Sequence, residues 1–265
     1  MKLSIEHCTE YRYETPVTHS TQYLRLTPKS SARQQVLHWE LDMPESAPRS
    51  TDGFGNILHV LTLDRPHDHI RIKAHGEVEI MDEMLEDEDQ RLSPLVFRRE
   101  TQITRADAAI RQFCAPFADA QSVSHLADLS AALLERMPYT PGTTVVSSTA
   151  AEAFANNSGV CQDHTHVFLS CCRVLGLPAR YVSGYLYTDD SAHVASHAWA
   201  EVWMADVWHT FDVTNQVCAP VQHLKLAVGL DYLDACPVRG VRYGGGVESM
   251  YAFALVERSD GQAGQ

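Results

Sequence analysis

The hydrophobic period of this chain changes once, near residue 100, and that change restricts it to folds with a β-rich first part and a mixed helix–strand second part. Before it the pattern is period two. Leu3, Ile5, Tyr11 and Tyr13 alternate with Ser4, Glu6, Glu10, Arg12 and Glu14, and Leu37, Trp39, Leu41 and Met43 alternate with His38, Glu40 and Asp42. Ile57, His59, Leu61 and Leu63 follow a turn-like Asp52-Gly53-Phe54-Gly55-Asn56, and Ile70, Ile72, Val78 and Ile80 add one or two strands. Half-buried strands punctuated by turns predict a β-sandwich over residues 1–82. The acidic run Asp82 to Asp89 opens a solvated linker, residues 83–100.

From 101 to 257 the pattern predicts an α+β core, followed by a flexible tail over 258–265. Ala109, Ile110, Phe113 and Phe117 fit one helix face. Val123, Leu126, Leu129, Leu133 and Met137 fit another, with Ser122 as N-cap and Pro138 as the stop. Thr149 and Glu152 have the spacing of a capping box. After the breaking run Asn156-Asn157-Ser158-Gly159, a helix is predicted from Cys161 to Leu175, with Gly176 at its C-terminal end. A final strand is expected from Val247 to Val256.

Cys161 therefore falls in the first turn of a helix, where free N–H groups and the helix dipole favour thiolate over thiol and can receive an oxyanion. Cys171 and Cys172 lie deeper in the apolar stripe and read as inert core thiols. Downstream, His197, Trp199, Glu201 and Trp203 alternate with Ala198, Ala200, Val202 and Met204, and a returning strand runs from Trp208 to Asp212. If Ala205-Asp206 is a two-residue hairpin loop, residue 199 faces 212 and Asp212 is diagonal to His197 on one face. An odd loop would move Asp212 to the other face. Thiol, imidazole and carboxylate in this order are the parts of a cysteine nucleophile, its base and its orienter.

Other residues near these carry weaker signals. Gln162 and Asp163 follow the nucleophile; Asp163 reads as a first-turn acid favoured by the dipole, or as support for the site. Tyr139 is a weak candidate for a second oxyanion donor. His164 and His166 read as packing residues, with substrate contact as the alternative for His164, and Trp199 packs on the sheet close enough to line a cleft. Cys161, His164, His166, His193 and His197 also admit a metal-site reading, but their spacing supports it poorly and no metal or other cofactor is expected. Gly244-Gly245-Gly246 lacks the helix and Lys of a phosphate cradle.

A net charge of −13 argues against nucleic acid and anionic membranes as partners, and no segment has the apolar length of a membrane helix. Seven cysteines without a small-domain disulfide pattern, and an N-terminus without a signal-like apolar run, lead to the expectation of a cytoplasmic protein, possible as a homo-oligomer.

The combined motifs resemble the bacterial transglutaminase-like proteins. The core resemblance lies in Gly159-Val160-Cys161-Gln162-Asp163, the run 175–185, Ser196 to Trp203 and Phe211-Asp212-Val213-Thr214-Asn215. Tyr11-Arg12-Tyr13, Leu24 to Pro28 and Asp52 to Asn56 resemble that family's accompanying β domain, and Leu226 to Tyr232 with Val238-Arg239-Gly240 extend the match. The resemblance implies a papain-like core with Cys161, His197 and Asp212 as a triad. Val213, His164-Thr165 and Leu230 depart from the usual pattern. The implied activity is cysteine-dependent hydrolysis of peptide or amide bonds through a thioester. Glutamine acyl transfer by the same triad is the alternative, and a non-catalytic or metal-binding protein is the reading from another class. No recognisable loop indicates calcium dependence.

Overall fold

The period-two segments become five strands: β1 (Lys2–Leu24), β2 (Gln34–Asp42), β3 (Arg49–Thr51), β4 (Ile57–Leu63) and β5 (His67–Ile80). The computed structural model describes residues 1–81, 92–119, 122–188, 196–219 and 222–259. Helices α1 (Ala108–Cys114), α2 (Val123–Arg136), α3 (Ala150–Asn156) and α4 (Cys161–Val174) follow. Then come β6 (Ala179–Leu186), β7 (Ser196–Met204), β8 (Val207–Phe211), β9 (His223–Gly229), the short α5 (Tyr232–Ala235), β10 (Val238–Gly244) and β11 (Glu248–Arg258). The helix starts follow their caps. Ser122 accepts the His125 N–H, and Thr149 and Glu152 form the reciprocal capping box.

β1 serves two neighbourhoods. Residues Lys2 to Arg12 lie between β5 and β11, and Ser20 to Leu24 lie between β4 and β10. Register irregularities after Arg12 and Val17 mark where it bends, as interrupted ladders do. The predicted sandwich is thus one seven-stranded sheet, folded so that Tyr11, Val17, Leu24, Leu61, Ile70 and Ile72 share a core.

Three boundaries need correction. β10 and β11, expected to belong to the second domain, pair with β1 and cover an edge that would otherwise present unpaired N–H and C=O groups. β11 continues through Arg258, so residue 258 is strand and not tail. Within the expected linker, Pro94–Arg98 forms a 3₁₀ turn, because Phe97 is buried edge-to-face against Trp208 at 5.3 Å. The acidic run 82–91 and residues 260–265 lie outside the described residues.

The second sheet is antiparallel, in the order β8-β7-β6-β9. One face, with Ala198, Ala200, Val202 and Tyr181, packs with Phe168 and Val167 of α4 in a large core cluster. Burial of a side chain such as Phe168 contributes roughly 1.5–3 kcal/mol. Leu3, Ile5, Val78 and Ile80 join the same cluster, so the two sheets share a core. The other face carries Trp199 with Val182, Val228 and Phe54. Behind α4, the Arg173 guanidinium donates to the carbonyls of Phe97, Ala179 and Leu230 and to Thr104, tying four segments together.

Candidate active site

Three local features set the start of α4. Asn157 ends α3 in a left-handed conformation (φ 53°). Gly159 lets the chain pass against Asp163; a Cβ there would come within 2.7 Å of Asp163 Cβ and 2.8 Å of its Oδ2. The buried Asp163 carboxylate then accepts the Val160 N–H at 2.9 Å and the Thr144 hydroxyl at 2.6 Å. Asp163 thus fastens the loop that delivers the nucleophile and does not face the cleft. Cys161 follows, half-buried, in the first turn. Cys171 and Cys172 are fully buried, as expected. A hydrogen bond with Cys114 and burial raise the Cys171 thiol, and burial raises that of Cys172.

The hairpin has the even loop on which the convergence argument depended. Ala205 and Asp206 occupy a two-residue turn at φ 49° and 63°, and Met204 faces Val207. Beyond the last β7–β8 pair, Ala200 with Phe211, the Asp212 carboxylate meets His197: Nε2 donates to Oδ2 at 2.7 Å. A further side-chain hydrogen bond joins His197 to Cys161. Since Nε2 is committed to Asp212, Nδ1 is the nitrogen left for the thiol. The imidazole is nearly buried. Burial alone would lower its pKa, but the hydrogen bonds and charges of Asp212 and Cys161 win and raise it from 6.5 to about 10. Burial opposes ionisation of Asp212 as well, yet hydrogen bonds from His197 and His223 hold it well below the usual carboxylate range.

Two polar partners of this group were not singled out from the sequence. His223 on β9 donates from Nε2 to Asp212 Oδ2 at 2.9 Å, and Asn215 donates its side-chain N–H to the same oxygen at 2.8 Å and its backbone N–H to Oδ1 at 3.2 Å. Asn215 was legible as the fourth residue of an Asx-type turn begun by Asp212. His223 alternates with Leu224 as a strand residue should, but periodicity does not say which carboxylate lies across the sheet.

The remaining candidates divide. Gln162 lines the cleft, with its side-chain amide donating to the Val146 carbonyl at 3.0 Å. Tyr139 is 48% exposed and forms a backbone bridge to Gly159; burial, and secondarily the nearby Cys161, raise its phenol, and it is not among the cleft-lining residues. His164 is a correction. It is fully buried, with Nδ1 on the Thr214 hydroxyl at 2.9 Å and Nε2 on the Met137 carbonyl at 2.7 Å, so it braces the helix against two loops and meets no cleft. Trp199 is also a correction. It is buried beneath His197, stacked at 6.1 Å, and packs on the sheet without lining the cleft.

Among the described residues the metal-site grouping suggested by the sequence does not assemble. Both nitrogens of His164 are occupied, His166 Nε2 receives the Tyr232 N–H, and His193 lies outside the described residues. A different group, His197, Asp212 and His223, brings its ligand atoms within 4.8 Å of one another and has the chemistry to hold a cation. Among the described residues no helix is long and apolar enough to cross a membrane.

The thiol and imidazole open onto a cleft of about 230 Å³ between the two sheets. One wall is the start of α4 with β6 and β7. The other is a face of β1 and β11.

Comparisons with known proteins agree with this architecture. Residues 3–79 match the bacterial transglutaminase-like N-terminal region, and residues 111–213 match the transglutaminase-like superfamily. An uncharacterized protein of Mycobacterium leprae is 32% identical, over 97% of this chain and 99% of its own length. An uncharacterized protein of Mycobacterium tuberculosis is 31% identical, over 90% and 87%. A solved structure from Cytophaga hutchinsonii, described as a candidate cysteine protease, superposes with a TM-score of 0.78 at 19% identity, covering 98% of this chain and 92% of that one, which is a likeness of fold.

Proposed function

Because the chain belongs to the bacterial transglutaminase-like family, we propose that Cys161, His197 and Asp212 act together as a nucleophile, base and orienter that hydrolyse a peptide or amide bond. The observation that carries this reading is the unbroken hydrogen-bonded chain from the Cys161 thiol through His197 to Asp212 at the mouth of a cleft.

In the proposed reaction His197 takes the thiol proton, and the sulfur attacks the amide carbonyl. The oxyanion is received by the Cys161 N–H and the other free N–H groups of the first turn of α4. As the tetrahedral adduct collapses, the C–N bond breaks and His197 passes its proton to the departing amine, leaving a thioester. Water then attacks, giving its proton to His197. The C–S bond breaks, a carboxylic acid leaves and the thiol is restored. Asp212 remains charged throughout, holding the imidazole orientation and stabilising its cationic form. Acid–base assistance of this kind is worth roughly 10²–10⁴-fold, and one oxyanion donor roughly 10²–10³-fold.

Water as the acceptor is favoured by the openness of the cleft, where Met250 on the β11 wall is 60% exposed. The test is a panel of peptide amides assayed with and without a primary amine, using the wild type and the Cys161→Ala and His197→Ala variants. Hydrolysis lost in both variants is the expected result. Turnover that survives Cys161→Ala would sink the proposal, and product formed only when amine is supplied would replace hydrolysis by transfer.

A further inference from the structure

The wall opposite Cys161 is set by strand register. His7 pairs with Ala254, Thr9 with Ala252 and Tyr11 with Met250 across β1 and β11. Alternate residues of a strand share a face, so Thr9 and Ala252 lie side by side on the cleft face, with Tyr11 and Met250 at one end and His7 at the other. Small residues in the middle and large ones at the margin make a depression. Facing it across the cleft are Cys161, His197 and Ala198. The whole cleft, including the space at Cys161 and His197, holds about 230 Å³, against the ~150 Å³ apolar cavity that suffices to bind benzene.

Charge is missing from the lining as described: no Asp, Glu, Lys or Arg is among these residues. The titratable wall residue, His7, is tied to Tyr185 Oη at 2.7 Å and lies 3.3 Å from the Thr9 hydroxyl. Burial lowers its pKa to about 4, so it is neutral at neutral pH. A charged side chain entering here would give up hydration without meeting a counter-charge on this wall, and the imidazole across the cleft, His197, is already hydrogen-bonded to Asp212 and Cys161. An apolar one would bury itself against Tyr11, Ala252 and Met250.

We propose that the Thr9–Ala252 depression is the specificity subsite of the Cys161 reaction, selecting an uncharged apolar side chain of leucine to phenylalanine size next to the scissile carbonyl. This rests on the catalytic reading above. It assigns the N-terminal sheet, together with β11, a direct part in substrate choice.

Peptidyl chloromethyl ketones test it, since the Cys161 thiolate displaces chloride to form a thioether, and the residue beside the ketone occupies the position in question. Ketones ending in Leu, Phe, Lys and Asp are compared by mass-spectrometric rates of Cys161 alkylation, with iodoacetamide as the probe that lacks a side chain. The expected result is that Leu and Phe react roughly tenfold or more faster than Lys and Asp. Ala252→Trp, on an exposed position of an edge strand, should abolish that advantage and bring the Leu and Phe rates down to those of Lys and Asp. Ala252→Asp should shift the preference toward Lys. Equal rates for charged and apolar ketones, or a Leu/Phe preference that survives Ala252→Trp, would overturn the subsite while leaving the triad intact. Slow iodoacetamide labelling of Cys161 that ignores His197→Ala would instead remove the catalytic reading, and this inference with it.

Discussion

Replacing Asp212 by Asn tests the electrostatics of the site with little change of shape. Three donors converge on Oδ2: His197 Nε2 at 2.7 Å, Asn215 Nδ2 at 2.8 Å and His223 Nε2 at 2.9 Å. An amide oxygen in that place has neither the charge nor the lone pairs for all three, and its NH₂ would then confront the Asn215 N–H now bound at Oδ1. The backbone at this position is held independently by paired hydrogen bonds with Val217, so the loop should persist. Raising His197 from 6.5 to about 10 amounts to about 5 kcal/mol of preference for the imidazolium, at ~1.4 kcal/mol per decade. Asp212 supplies the largest of the raising contributions, so its neutralisation should remove about 2–4 kcal/mol, a factor of roughly 30–1000.

Two measurements read this. The His197 ring resonance, assigned by its disappearance in His197→Gln, should titrate in Asp212→Asn with a midpoint lowered by about 1.5–3 pH units. Iodoacetamide alkylation of Cys161, followed as a function of pH, should lose its dependence on the imidazolium at a pH lower by the same amount, because His197 deprotonates earlier. A midpoint still near the wild-type value of about 10, with an unchanged pH dependence of alkylation, would refute the claim that Asp212 sets the charge state of His197.

Three further outcomes are expected. His223→Leu removes one N–H donor from the Asp212 carboxylate, which stays charged; a hydrogen bond to a charged group is worth ~1.5–3 kcal/mol, so Oδ2 keeps more of its charge for His197 and the His197 midpoint should rise, whereas a purely structural role for His223 would leave the pH profile in place. Burial lowers His7 and His166 from 6.5 to about 4, so the unfolded chain binds more protons between those values and stability falls as pH drops from about 6.5 to about 4, by about 3 kcal/mol for each histidine; urea titrations at several pH values should show this, with a flatter profile in His166→Gln, and an identical profile in that variant would count against the assignment. Gly184→Ala places a methyl group into the Leu224 carbonyl oxygen and 2.7 Å from Trp199 Cη2, so it should cost about 1–3 kcal/mol or more by the midpoint of denaturant unfolding, and full stability would mean that β6 and β9 can separate more readily than their ladder implies.

Local rules made the second half of the chain readable. Capping residues fixed the starts of α2 and α3, and hairpin parity fixed the side of β7 on which Asp212 would stand. The partners of His164 were harder, because the Met137 carbonyl that accepts its N–H and the Thr214 hydroxyl at its other nitrogen are brought in from distant parts of the chain. His223 and Asp212 are joined across a sheet, and no periodicity encodes such a meeting. The N-terminal half was readable strand by strand but not in its membership. The apolar run that ends at Val256, after Gly244-Gly245-Gly246, marks β11 as a strand, while its partner β1 lies at the other end of the chain.

That long-range pairing decides how the β domain can be studied. Deleting residues 1–82 would seem the direct way to ask what the N-terminal sheet contributes. Yet β10 and β11 have β1 as their partner strand, and Leu3, Ile5, Val78 and Ile80 belong to the cluster that supports α4. The truncated chain would expose two unpaired strands and open the core beneath the nucleophile, so a loss of activity would follow from unfolding whether or not the sheet touches substrate. The same connectivity explains how a domain without chemistry of its own reaches the site. β11 ties the sheet to the core in sequence, β1 ties it in hydrogen bonds, and their shared face places Thr9 and Ala252 across from Cys161. Point substitutions on that face, at exposed positions of β11 that leave the ladder intact, separate recognition from folding in a way that removing the domain does not.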